Sequence, residues 1–350
     1  MKTIAVALSG GIDSALTAYL LQKEGFQVLG LHADFGFASD SSRTGLEIIT
    51  SFLKIPLEVV LLKDIFRKAV VDYFIGEYTR GRTPNPCVVC NPLIKFDLLM
   101  EKGISLGADY FATGHYACVV PAPWGEGSTI GRGLDHAKEQ SYFLHRVKNE
   151  NLNRILFPLG AWTKEQVRAL AKEIGLPIDP QAESQDICFL PKGGYREFLL
   201  RQGPPGLKKS GDIVDLQGRR LGTHQGLFAY TIGQRKGMGI AAAEPYYVIR
   251  METDTNRLVI GGKRDLITQS CLLSDFYFLC RPPQITGLEV KVQIRYRHRP
   301  AKAILKQIEE GLIEVLFESP QPAVTPGQAG VVYWGDYVVG GGWIEEAKAL

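Results

Sequence analysis

The chain has 350 residues, length for two or three domains, and 45% hydrophobic against 22% charged residues is a globular composition that excludes a wholly disordered chain. No run of about 18 uninterrupted apolar residues occurs, which excludes a membrane-spanning helix, and Met1–Leu8 lacks the sections of a signal peptide. The net charge is only +3, but residues 195–302 hold 18 Lys and Arg against 9 Asp and Glu, so a basic middle of +9 sits in a remainder of −6 and suggests a polyanionic partner.

In chain order, Thr3–Leu8 reads as a short buried strand, followed by a glycine turn and a helix with Ala15, Leu16, Tyr19 and Leu20 on one face, ending at Gly25. Gln27–Leu31, Leu57–Leu62 and Tyr110–Thr113 are further strands with helix-like sequence between them. This βαβ alternation predicts a doubly wound parallel sheet over residues 1–200. Thr163–Gln166 has the form of a capping box, and Val167, Leu170, Ala171 and Ile174 make the apolar face of the helix it opens. Gly203–Gly206 reads as a linker, residues 201–270 as a glycine-rich central domain, and 271–350 as strands forming a small antiparallel barrel. Within the barrel, Val290–Arg299 alternates apolar and basic residues, which predicts one strand with a basic face carrying Lys291, Gln293, Arg295, Arg297 and Arg299.

Between the first strand and the first helix lies Ser9-Gly10-Gly11-Ile12-Asp13-Ser14. Two glycines let an anion approach the backbone, the helix N-terminus adds N–H donors, and two serines add hydroxyls. Asp13 is placed to hold Mg²⁺ or to position the loop. The motif is neither a Walker A sequence nor G-x-G-x-x-G; it resembles the PP-loop of ATP pyrophosphatases, which implies adenylation of a carbonyl oxygen.

The second unusual segment is Thr83-Pro-Asn-Pro-Cys87-Val-Val-Cys90-Asn91, where two prolines stiffen a loop that presents a cysteine. Lys95 is near enough in sequence to lower a thiol pKa if the fold brings them together. A zinc site, a redox dithiol and a single reactive thiol working with a distant one are the three readings; the zinc site lacks a second CxxC. The distant thiol is Cys188, in Ser184-Gln-Asp-Ile-Cys188-Phe189.

With Ala112–Ala117 (ATGHYA), Gly133–Leu144 (GLDHAKEQSYFL), Tyr230–Ile240 (YTIGQRKGMGI), Pro326–Ala329 and Gly340–Ile344, these blocks run through nearly the whole chain in the order found in bacterial-type tRNA-specific 2-thiouridylases, and the chain resembles that family. The resemblance implies ATP-dependent transfer of sulfur to C2 of the wobble uridine in tRNAs for Lys, Glu and Gln. It implies Cys90 as nucleophile and Cys188 as the persulfide carrier, with a transient disulfide between them. By position, Ala7, Leu8, Ser9, Gly10, Gly11, Ile12, Asp13 and Ser14 would hold ATP, with Ala33 and Gly114 near its adenosine. Asn85, Pro86 and Cys87 would lie against the target base. His115, Lys138, Glu139, Gln140, Arg295, Tyr296 and Gln328 would contact tRNA, although alternation puts Tyr296 on the face opposite Arg295 unless the strand bulges or ends there. The implied cofactors are ATP and Mg²⁺, and the sulfur donor a cysteine desulfurase or a relay protein, in the cytoplasm.

Cys87, Cys90 and Cys188 together also suit an iron–sulfur cluster with one open iron; the persulfide route is preferred, because many relatives carry aspartate at the first cysteine. Cys118, Cys271 and Cys280 read as structural. His32–Ser51 departs from the family, which carries a tryptophan and an acidic, cysteine-containing stretch there. The competing functions are another PP-loop tRNA-modifying enzyme, such as a tRNA lysidine synthetase, and a non-catalytic, metal-stabilised RNA-binding module.

Overall fold

The computed structural model describes residues 1–37, 40–179 and 187–349; Ser184–Asp186 of the Cys188 motif and part of the divergent 32–51 segment lie outside the described residues. The N-terminal region is a five-stranded parallel sheet. Its strands are β1 (Thr3–Ala7), β2 (Gln27–Asp34), β3 (Leu57–Leu61), β4 (Tyr110–Ala112) and, beyond a later hairpin, Ile155–Leu156; the spatial order is β3-β2-β1-β4 and then Ile155–Leu156. Both faces are covered, so the middle of β1, Ile4–Val6, is apolar on successive residues rather than alternating. Ile4 and Val6 pack with α1 (Ile12–Lys23), α2 (Asp40–Leu53) and the later helix Lys164–Glu173. Ala5, Leu31 and Phe111 pack with Phe96, Leu99 and Met100 of a helical run over residues 86–105. Part of that run, Asn91–Leu99, has the wider turn of a π-helix.

Strand order reverses at β1, whose successors β2 and β3 lie to one side and β4 to the other. In open parallel sheets the crevice at the carboxyl ends of such strands is where ligands bind. The segments leaving β1 and β4 are Leu8–Gly11 and Thr113–His115, two of the motifs singled out above.

The hairpin β5 (Ala117–Pro121) and β6 (Ser128–Arg132) leaves this domain and joins the C-terminal sheet instead. With Ile155–Leu156 numbered β7, the central region holds β8 (Gly211–Val214), β9 (Arg220–His224), β10 (Tyr247–Glu252) and β11 (Arg257–Gly261) in the order β10-β11-β8-β9. The C-terminal strands β12 (Ile267–Phe278), β13 (Glu289–Gln293), β14 (Ala301–Glu309), β15 (Leu312–Pro322), β16 (Ala329–Trp334) and β17 (Tyr337–Ala349) pair antiparallel in the order β12-β15-β14-β13-β16-β17. Pairing of β17 back onto β12 closes a six-stranded barrel. Closure removes exposed edges, and Leu273, Val292, Leu305, Val315 and Ile344 fill the interior.

One strand is shorter than its alternation predicts. β13 ends at Gln293, and residues 294–298 turn back. Gln293 is buried rather than on a basic face, because its amide donates to the carbonyls of Arg295 and Tyr296 and so closes that turn. Strand termination puts Arg295 and Tyr296 in different environments: Arg295 is exposed, and the Tyr296 ring packs on Phe143, centroids 4.3 Å apart.

Candidate active site

The phosphate loop is shaped largely by its own side chains. Ser14 Oγ donates to the Gly11 carbonyl at 2.9 Å and accepts from the Ser9 amide at 3.2 Å. Gly10 turns the chain at φ +84°, a backbone region costly for any residue with a Cβ. Two side chains from elsewhere fasten the helix start. Lys164 Nζ lies 2.7 Å from both carboxylate oxygens of Asp13, and the Tyr116 hydroxyl donates to Asp13 Oδ1 at 2.7 Å. Of the two roles open to Asp13, holding Mg²⁺ or positioning the loop, its pairing with the Lys164 ammonium supports the second. Burial and the neighbouring Asp13 charge push the Tyr116 phenol far above its ordinary value, so it stays a donor.

Gly114 lies against this loop so closely that a Cβ there would come within 2.8 Å of the Asp13 carbonyl carbon and 3.0 Å of the Ser14 nitrogen. Ala33 sits on the neighbouring strand β2, half-buried, and Leu8 is buried beneath the loop with its carbonyl against His32 Nδ1.

The cysteine segment starts a helix. Asn85 caps it, accepting from the Cys87 amide at 3.2 Å, and Pro86 occupies the first turn, where its missing N–H costs nothing. Cys90 is buried and Cys87 half-buried, whereas Cys188 is exposed. Burial pushes the Cys90 thiol up to about 12; Lys95 pulls it down, and Cys188 and Cys87 push it up. The surrounding protein also pushes the Cys188 thiol up, against the same pull from Lys95. The fold thus gathers Cys87, Cys90 and Cys188 into one electrostatic neighbourhood with Lys95. His115 belongs to it as well: it is buried between Phe96 and Phe157, bonded to Thr113 Oγ1 at 2.7 Å, and held neutral by burial and by Lys95. Among the described residues no three of His, Cys, Asp and Glu converge as a metal-ligand set.

The residues expected to touch RNA divide. Lys138 is half-buried and Arg295 exposed. Glu139 faces inward, 3.3 Å from Arg132, whose guanidinium stacks on Tyr333 of the barrel at 4.0 Å. Gln140 accepts from the Tyr116 amide at 3.0 Å, and Gln328 donates to the Thr83 carbonyl at 2.8 Å. Sequence reasoning singled out neither Lys164 nor Arg82, which forms ion pairs with Glu77 and Glu345. Lys164 stands behind a capping box, a signal of a helix start and of nothing more. Tyr116 was detectable only as the residue two after Gly114.

A family model described as the tRNA methyl transferase HUP domain matches residues 2–192. A tRNA methyl transferase PRC-barrel domain matches 196–262, and an aminomethyltransferase beta-barrel domain matches 268–344. Among full-length relatives, the tRNA-specific 2-thiouridylase MnmA of Carboxydothermus hydrogenoformans is 42% identical, covering 99% of this chain and 98% of that protein. The chain belongs to the tRNA-specific 2-thiouridylase family. The MnmA 1 protein of Caldanaerobacter subterraneus is 41% identical and MnmA of Magnetococcus marinus 42%, each matching 98% of this chain and at least 98% of its own length. The family unites a PP-loop nucleotide domain, a central domain and a closed antiparallel barrel, the three parts seen here.

Proposed function

We propose that the chain replaces the C2 oxygen of the wobble uridine, position 34, by sulfur in the tRNAs for Lys, Glu and Gln. The single observation that carries this reading is the pair Gly114–His115. One residue packs on the phosphate loop and the next shares Lys95 with both thiols, so nucleotide and sulfur chemistry meet at adjacent residues.

Ala7 to Ser14 receive the ATP phosphates, with Mg²⁺ entering as the counter-ion of ATP and not as a resident of Asp13. The uridine C2 oxygen attacks the α-phosphorus and pyrophosphate leaves, turning a poor electrophile into one with AMP as leaving group. The terminal sulfur of a Cys188 persulfide attacks C2, AMP departs, and C2 is joined to Cys188 through a disulfide. The Cys90 thiolate attacks the Cys188 sulfur, which frees the 2-thiouridine and leaves a Cys90–Cys188 disulfide. A dithiol reductant of the cytoplasm returns two electrons and two protons. A persulfide is more acidic than a thiol, which matters where both thiols are pushed up. Exposure of Cys188 leaves it open to a cysteine desulfurase or relay protein, while Cys90 stays sheltered. Asn85, Pro86 and Cys87 flank the target base, which is flipped from the anticodon stack. Lys138 and Arg295 reach toward the RNA, with Glu139, Gln140 and Gln328 supporting them from within.

The test is incubation with unmodified tRNA, ATP, Mg²⁺, cysteine and a cysteine desulfurase, followed by mass spectrometry of the digested nucleosides. Wild type gains sulfur for oxygen at uridine 34, and Cys90→Ser and Cys188→Ser do not. Full activity in Cys188→Ser with the desulfurase donor, or no thiolation by wild type that still binds tRNA, overturns the proposal.

A further inference from the structure

The segment that presents the cysteines is clamped by the barrel. Arg82 meets Glu345 of β17 through two nitrogens, at 2.6 and 3.1 Å, and also donates to the Ile344 carbonyl. Its Nε lies 2.8 Å from Glu77 on the preceding helical turn. Ser274 of β12 holds Glu345 from the other side, its hydroxyl donating at 2.6 Å. Next along the chain, the Thr83 amide donates to the Pro326 carbonyl at 3.0 Å, and the Thr83 carbonyl accepts from Gln328. Gly327 lies between them, where a Cβ would stand 3.0 Å from Arg82 Cβ and from the Thr83 nitrogen. Two residues later Asn85 caps the helix of Cys87 and Cys90.

We infer that Arg82 is a positioning residue: through Glu345 and the Pro326–Gln328 loop, the barrel sets where Cys90 stands relative to Cys188. A paired guanidinium–carboxylate fork fixes direction as well as distance, which a lysine cannot reproduce. The barrel is then a jaw of the sulfur-transfer site and not only a surface for RNA. This rests on the cysteine-pair reading above.

The experiment has one arm without RNA. Diamide-driven formation of the Cys90–Cys188 disulfide is timed in the full chain for wild type, Glu345→Gln, Arg82→Lys and Gly327→Ala. Glu345→Gln removes the charge at a half-exposed carboxylate, and Gly327→Ala disturbs the same contact without touching any charge. All three slow the cross-link about tenfold, as a shift smaller than the ~1 Å misplacement that costs about 100-fold would. In the second arm their thiolation kcat falls in the same proportion, with the tRNA Kd within about twofold of wild type. Unchanged cross-linking in both Glu345→Gln and Gly327→Ala overturns the inference. So does weaker tRNA binding with unaltered cross-linking, which makes the barrel a grip alone. Slowed cross-linking in a protein whose wild type does not thiolate tRNA would leave the clamp standing and sink the function.

Discussion

Ser9–Ser14 is shaped by hydrogen bonds among residues five or fewer apart, with Lys164 and Tyr116 as outside fasteners. Cys90 and Cys188 are a contrast: one ends a short, proline-started helix tied to the barrel, the other lies beyond the helix Lys164–Glu173, and they come together only through the tertiary fold. The phosphate site is a local structure with its charge already paired. The thiol site is an assembly whose charge, Lys95, pulls on two sulfurs, one buried and one exposed, that the surrounding protein would otherwise keep as neutral thiols. The first arrangement suits a ligand that brings its own negative charge, the second a charge that exists only while sulfur is in transit.

The sharpest way to break the contrast is Gly114→Ala. An added methyl meets backbone, which cannot swing aside, so ATP binding and thiolation fall by about 100-fold or more, with about 1–3 kcal/mol lost in stability. Calorimetric titration with ATP checks it, and a wild-type Kd would show that the loop is softer than its geometry. Lys164→Met ranks next. With the Asp13 carboxylate no longer neutralised, it repels the phosphates; ATP affinity falls about tenfold, or about 1.4 kcal/mol, and Lys164→Arg restores part.

On the thiol side, the Cys90 pKa near 12 means that alkylation by iodoacetamide rises about tenfold per pH unit from pH 7 to 10 without a plateau. Lys95 favours the thiolate, so Lys95→Met lowers the thiolate fraction at every pH in that window and slows Cys90 alkylation several-fold, while ATP binding is untouched. A plateau near pH 8 in wild type would show Cys90 to be poised as a thiolate. The smallest effect belongs to Arg295→Ala: the slope of log K for tRNA against log salt drops by about 1, with kcat at saturation unchanged.

The sheet was legible because buried parallel strands are written as unbroken apolar runs: Thr3–Ala7 and Tyr110–Ala112 are where Thr3–Leu8 and Tyr110–Thr113 are expected. The capped helix was legible for a local reason too; Thr163 and Gln166 do exchange their hydrogen bonds. The strand expected over 290–299 failed at Gln293, because alternation of apolar and basic residues continues through a turn that a side-chain amide closes. Lys164 and Arg82 were not legible, since a partner 151 or 263 residues away leaves no mark in local pattern. Glu139 read as one of three polar residues in a row; only the fold shows that its neighbour is Arg132 and not solvent.

Among the described strands β17 carries the most joints. It closes the barrel against β12, pairs with β16, meets the β5–β6 hairpin at Tyr337 opposite Gly131, and supplies Glu345 to Arg82. Of the described strands it comes last in chain order. The parallel sheet draws its strands from residues 3–156 alone, so a nascent chain can complete it while the Pro86–Cys90 helix is still unclamped. With the clamp acting as inferred, a chain cut short before Glu345 keeps its parallel sheet but loses the hold on the Cys90 segment.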